Sequence, residues 1–283
     1  FNPVSITHWL KARFFDRSDP RASVHESTYK DNRFLPQEAI DTLEGFRDTD
    51  PYYYQVYALG MWGVTGQTVF DGQAVTARLL EDVQPVKTGY FVFDYDGLAL
   101  NNIRWTDDPN GFIRIYQEPE EGAPYVIGGD TAGDGSDWFA AQVLDNRTGD
   151  QVCTLHHHMD EDLYTMQMYC LGMYYNTALI GVETNYSTYP EMKLEDLGYP
   201  NLYVRERLDN YTGKMVPAFG FETTTVTRPV IVDGLKDAAR EHLETINDYE
   251  TLGEMLTFIY DENWKPQAEE GAHDDLVMAL AIA

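Results

Sequence analysis

No run of about 18 apolar residues occurs in these 283 residues, which excludes a membrane-spanning helix. Cysteine is almost absent. Cys153 and Cys170 are the only two, too few for a disulfide framework and without metal-ligand spacing, so a reduced, cytosolic setting fits best. The opening Phe1-Asn2-Pro3 offers no Met, no basic leader and no apolar signal core, and reads as a segment of something longer, not as a secreted protein. Positive charge is scarce, with 20 Lys and Arg against 47 Asp and Glu and a net charge of −27. Internal repeats and low-complexity segments are missing as well. What the chain does have is a large apolar fraction, 43% with 13% aromatic, enough for a substantial core.

The pattern changes along the chain. Residues 1–70 read as a peripheral, mostly helical segment: Thr7 to Phe15 has helical spacing, Pro36 suits the first turn of a helix, and Asp50-Pro51 opens another that stops at Gly60. Residues 71–124 hold short extended runs, Gly89 to Phe93 and Gly111 to Tyr116, between turn formers, and read as a small antiparallel appendage. From 125 to 283 the pattern is α/β. Strands are expected at Tyr125 to Gly129, Trp138 to Leu144, Gln151 to His157, Leu179 to Val182 and Leu202 to Val204. Helices are expected at Asp160 to Tyr175, Ser187 to Leu197, Pro229 to Glu244, Thr251 to Ile259 and from Asp274 onward. The order βββαβαβ, three antiparallel strands followed by parallel ones and flanked by helices, is the connectivity of a ribonuclease H-like mixed sheet. That topology brings the ends of the first and fourth strands together.

Three acidic clusters sit where this topology matters. Asp130 ends the first strand, Glu183 follows Leu179 to Val182, and His273-Asp274-Asp275 open the last apolar stretch. A lone Asp after a strand is ordinarily a turn former. The segment Asp130 to Ala141 fails as a calcium loop, because Ala132 and Ala141 occupy ligand positions. Glu183 is harder to assign to structure alone, since a buried carboxylate is costly unless paired or bound to a cation. Asp274 and Asp275 could cap the helix, yet two carboxylates and an imidazole exceed what a cap requires. Hard oxygen ligands converging on two cations about 3.5–4 Å apart are what a two-metal phosphodiester-cleaving site needs. The reading is therefore a divalent-metal-dependent nuclease, with Asp130, Glu183, Asp274 and Asp275 as ligands and Asp137 and His273 as auxiliary groups. Arg205, Arg207, Lys214 and Arg228 are the cations available for DNA phosphates, with surface ion pairing the equal alternative. His156-His157-His158 is not a metal site on this reading, because strand neighbours point to opposite faces.

Charge opposes this reading. Residues 125–283 carry 9 Lys and Arg against 28 Asp and Glu, whereas nucleic-acid binders ordinarily show a basic footprint.

Taken together, these segments resemble the large terminase subunit of tailed bacteriophages. The resemblance is carried by Phe1-Asn2-Pro3 with His8-Trp9, Ser27 to Leu35, Tyr57 to Gly63, Gly129 to Ala132 with Ser136-Asp137, Gly181 to Asn185, Thr227-Arg228-Pro229 and Gly271 to Ala279. It implies a ribonuclease H-like nuclease domain using two Mg²⁺ or Mn²⁺ ions to cut concatemeric double-stranded DNA during packaging, in the cytoplasm of an infected bacterial host. The implied partners are the portal, the small terminase subunit and the chain's own ATPase domain, of which residues 1–70 would be the tail end and linker. Asp130 would be the first ligand, Glu183 the second, and Asp274 or Asp275 the third. With no Gly-x-x-x-x-Gly-Lys-Ser/Thr and no Walker B segment, the ATP-binding core is absent from these residues. Two rival functions use the same residues: a junction resolvase or integrase-like nuclease, and a non-catalytic portal or procapsid docking module.

Overall fold

A computed structural model describes residues 10–15, 22–49, 54–61, 67–131, 138–209 and 213–283. The chain divides into two compact units, one formed by residues 1–82 and 249–274, the other by 83–248 and 275–283.

In the first unit, a short turn at Tyr29–Asp31 is held by a reciprocal cap between Thr28 and Asp31, and Pro36 then leads into α1 (Gln37–Thr49). The Tyr29 hydroxyl donates to Glu44 on α1. Tyr54, Val56 and Ala58, on the helical turn that follows, are buried. A two-residue strand, β1 (Gln67–Thr68), precedes α2 (Gly72–Leu79), whose first turn is capped by Asp71 Oδ1 accepting from the amides of Gln73 and Ala74 at 2.9 and 3.1 Å.

The second unit is built on a seven-stranded sheet. Its strands are β2 (Lys87–Tyr95), β3 (Leu100–Asp107), β4 (Ile113–Ile115), β5 (Tyr125–Asp130), β6 (Phe139–Asp145), β7 (Gln151–His157) and β8 (Leu179–Val182), with α3 (Glu161–Tyr174) before β8 and α4 (Tyr189–Asp196) after it. The order across the sheet is β3-β2-β4-β7-β6-β5-β8, antiparallel throughout except for the parallel pair β5–β8. A hairpin, β9 (Val204–Asp209) with β10 (Lys214–Phe219), then leads to α5 (Thr227–His242). Here the chain crosses to the first unit as α6 (Tyr249–Thr257), packed on α2, with β11 (Phe258–Tyr260) and β12 (Pro266–Ala268) forming a small antiparallel sheet with β1. It returns as α7 (Asp275–Ile282), which lies across β5 and β6.

The burial pattern explains the layering. Residues 127–130 of β5 and 139–143 of β6 are buried without alternation, which a strand shows only when both of its faces are covered. Tyr164, Met168, Leu171 and Tyr175 of the α3 segment join Ile127, Val143, Leu155 and Ile180 in the main core. On the opposite face, Ala140 packs with Leu276 and Ala279 of α7. The β7-β6-β5-β8 segment is the ribonuclease H-like arrangement, and the mixed α/β fold expected from the sequence is the fold observed. Among the described residues, no helix is long and apolar enough to cross a membrane.

Several boundaries differ from the sequence reading. The runs of 71–124 form no separate appendage: β2 to β4 extend the same sheet, because β4 pairs with β7 and covers an edge that would otherwise expose unpaired amides. The helix expected at Thr251 to Ile259 stops at Thr257, where Phe258-Ile259-Tyr260 pair as a strand. Leu202 makes only an isolated bridge to Ile180, and Val204 opens the hairpin instead. The expected helix over Thr7 to Phe15 is helical at residues 10–15, and its beginning lies outside the described residues, as does the expected Asp50-Pro51 helix start.

Candidate metal centre

The strands β5 and β8 run parallel with Gly128 opposite Gly181 and Gly129 opposite Val182. The Glu183 amide donates to the Gly129 carbonyl at 2.8 Å, so Asp130 and Glu183 are the next pair in register, on strands about 4.7–4.9 Å apart. Paired residues project to the same face, and both are buried, Asp130 at 8% and Glu183 at 5% exposure. Glu183 is fixed from the other side by its bridge to Phe221, and Thr184 N–H donates to the Phe221 carbonyl at 2.8 Å.

Glycines permit this close packing. A Cβ on Gly128 would lie 2.2 Å from the Ala279 carbonyl oxygen and 2.5 Å from the Ala283 nitrogen, so α7 rests directly on the β5 backbone. A Cβ on Gly129 would meet the Tyr164 hydroxyl at 2.5 Å on the opposite face. Alternation therefore places Asp130 on the α7 side with Gly128. Ala140, opposite Asp130 on β6, touches Leu276, so the first turn of α7 begins above the strand end. Asp275 is the first residue of that turn and is half-buried. Asp274 and His273 precede it and are also half-buried.

The donor set is carboxylate oxygen, the chemistry of hard divalent cations. Among the described residues, the Glu183 carboxylate has neither a hydrogen bond nor an ion pair. A buried, uncompensated carboxylate beside a second one is what a bound cation would relieve, so these residues fit a metal.

A third buried acid stands behind the first two. Glu191, in the first turn of α4, is 2% exposed, and its Oε1 accepts the Val182 amide at 2.8 Å. Burial pushes its carboxyl up to about 7, with the Val182 hydrogen bond pulling the other way. Its Oε2 is shut from solvent and has no hydrogen-bond partner among the described residues. Tyr164 donates to the Ala140 carbonyl at 2.9 Å, and burial, then the charges of Asp130 and Glu191, hold its hydroxyl well above the usual phenol range.

Residues 1–61 match the family model described as phage terminase large subunit. The fold agrees: the crystal structure of the large terminase nuclease from thermophilic phage G20c with bound magnesium superposes with a TM-score of 0.51. The chain is thus similar to phage large terminase subunits in sequence over residues 1–61, and to a large terminase nuclease in fold. That match covers 78% of this chain and 97% of the nuclease at 16% identity, and the cobalt-bound structure of the same nuclease matches equally. The PBSX phage terminase large subunit of Bacillus subtilis (strain 168) is 21% identical over 172 residues, 53% of this chain. The chain spans 36% of the length of that relative.

Within this fold Arg205, Arg207 and Lys214 share the β9–β10 hairpin, and Arg228 begins α5. Arg205 is fastened beside β8: its Nε donates to the Gly220 carbonyl at 3.0 Å, Nη1 pairs with Glu222, and Nη2 reaches Thr184 Oγ1 at 3.4 Å. Arg207 and Lys214 are exposed on the β9–β10 hairpin, and Arg228 is half-buried at the start of α5. Asp137 lies outside the described residues. His156 and His157 are neighbours on β7, where the Trp138 ring lies 4.8 Å from that of His156 and 6.2 Å from that of His157, and Phe112 stacks on His157 at 5.2 Å. The sequence reading passed over Glu191. Its signal was its place one residue after Pro190 and three before Leu194, on the inward face of a predicted helix.

Proposed function

We propose that this chain is the cutting part of a terminase motor, a divalent-metal-dependent endonuclease that hydrolyses phosphodiester bonds of concatemeric double-stranded DNA. The observation that carries the reading is the side-by-side register of Asp130 and Glu183 at the buried ends of the parallel strands β5 and β8. Asp130, Glu183 and Asp274 or Asp275 would hold two Mg²⁺ or Mn²⁺ ions, which when bound supply an activated water and charge stabilisation at the phosphate. The G20c nuclease structures with magnesium and cobalt support divalent-metal use.

The protein's own part is to hold these carboxylates in place. Buried together without a cation they repel one another and repel DNA phosphate, so metal loading and substrate approach are coupled electrostatically. Tyr164 keeps its proton and anchors β6 beside the site. With few free cations near the site, DNA is delivered by other parts of the assembly: the ATPase domain to which residues 1–70 would belong, the portal and the small terminase subunit, in the cytoplasm of an infected bacterium.

Incubation of the purified chain with supercoiled plasmid and Mn²⁺ or Mg²⁺ tests this. Metal-dependent nicking that disappears in Asp130→Asn and Glu183→Gln is the expected result. Folded protein that cuts under neither metal would refute the activity, and equal cutting by the variants would refute the site.

A further inference from the structure

Beneath α7 runs a buried chain of amide hydrogen bonds. The backbone amides of Asn247 and Asp248 both donate to Gln151 Oε1 at 2.6 Å, and Asn247 Nδ2 donates to the Gln151 carbonyl at 2.8 Å. Gln151 Nε2 donates to Gln142 Oε1 at 2.7 Å, and Gln142 Nε2 donates to the Leu276 carbonyl at 3.2 Å. Both glutamines are fully buried.

The two ends of this chain are topologically special. Asn247 and Asp248 are where the polypeptide leaves the sheet unit, and Leu276 is where it has just returned. Asp248 is itself immobilised, accepting from Tyr116 at 2.8 Å and pairing with Arg114 at 2.9 Å. Gln142 sits opposite Gly128 on β6, two residues from Ala140, and Leu276 directly follows Asp275.

Satisfying the helix does not require this bond. In an α-helix the Leu276 carbonyl already accepts from the Leu280 amide, and burying two side-chain amides is a costlier way to fill space than two leucines. A directional bond is useful here because the surfaces in contact are smooth. Gly128, Ala140, Ala279 and Ala283 leave few knobs to stop α7 from turning or sliding. A rotation by one residue, about 100°, would carry Asp275 away from the strand ends.

We propose that Gln142 and Gln151 are positioning residues that set the rotation and height of the first turn of α7 and thereby present Asp275 to Asp130 and Glu183. The consequence for metal binding rests on the nuclease reading above, whereas the consequence for α7 does not. Two measurements on the same chain separate them: amide hydrogen exchange, and Mn²⁺ titration with plasmid nicking. In Gln142→Leu and Gln142→Met, the Leu280 amide is expected to exchange faster by about tenfold while α3 amides are unchanged. Mn²⁺ affinity is expected to fall by about 10-fold, as for loss of groups that orient metal ligands. Nicking should then return at raised Mn²⁺, a shift in metal dependence that mere loss of stability would not give. Gln151→Leu should reproduce the effect more weakly, since it removes the anchor of Gln142 and not the bond to α7.

Wild-type exchange at Leu280 in a folded Gln142 variant would overturn the proposal. So would failure of both Gln142 variants to fold, which would assign the pair to core stability. Faster exchange at Leu280 in a chain whose wild type binds no Mn²⁺ would leave the positioning intact and sink the nuclease reading instead.

Discussion

Replacing Glu191 by Gln should make the protein more stable at alkaline pH and leave it nearly unchanged in mild acid. The Glu191 carboxyl is raised from 4.5 to about 7 by burial. A group whose folded pKa exceeds its unfolded value stabilises the protein fully below the unfolded pKa, and that contribution is lost as pH rises through the folded one. A rise of this size amounts to about 3 kcal/mol at 1.36 kcal/mol per pH unit, and most of it, about 2–3 kcal/mol, falls between pH 5 and 8. In Glu191→Gln the amide oxygen can still accept the Val182 N–H, so the local hydrogen bond survives while the ionisation is removed. Urea unfolding in chelator-containing buffer at pH 5, 6, 7 and 8 gives the difference between the two proteins, in which all other titrating groups cancel to first order. The difference should grow with pH in favour of the variant. A constant difference across this range would show that Glu191 does not titrate there and would refute the argument from its burial.

Two further substitutions probe the scaffold. Gly128→Ala places a methyl group against the α7 backbone, and the helix cannot retreat without losing its contact with Ala140; a loss of about 1–3 kcal/mol is expected in thermal or urea unfolding. Asp248→Ala strands the partly buried Arg114 and removes an acceptor from Tyr116 and Thr154; a loss of about 3–5 kcal/mol is expected, read by the same assay.

The parts of the fold written in local pattern were legible. Gln151 to His157 and Leu179 to Val182 are strands at the residues their apolar runs delimit, and Asp160 caps α3 as its acidic start suggests. Pairing over long distances was less so. Nothing local in Ile113-Arg114-Ile115 says that its partner is Cys153 to Leu155, and the strand character of Phe258 to Tyr260 depends on meeting Gln67 and Thr68. The hairpin of β9 and β10 was hidden because Arg205, Glu206 and Arg207 interrupt any apolar alternation. At the candidate centre, the three acids could be named from their positions at element ends. That Asp130 and Glu183 share a register required the βββαβ topology. Glu191 escaped because its role is to accept one backbone amide at a strand edge, which leaves no motif.

The route of the chain to α7 also bears on timing. A ribosome delivers β5, β6 and β8 early, and these strands can pair while residues 249–274 are still unmade. Until that detour is complete and α7 folds back, the sheet shows a bare strip over Gly128 and Ala140. Contacts so distant in sequence form late. On the nuclease reading proposed above, competence to cut would wait until α7 has docked on the sheet.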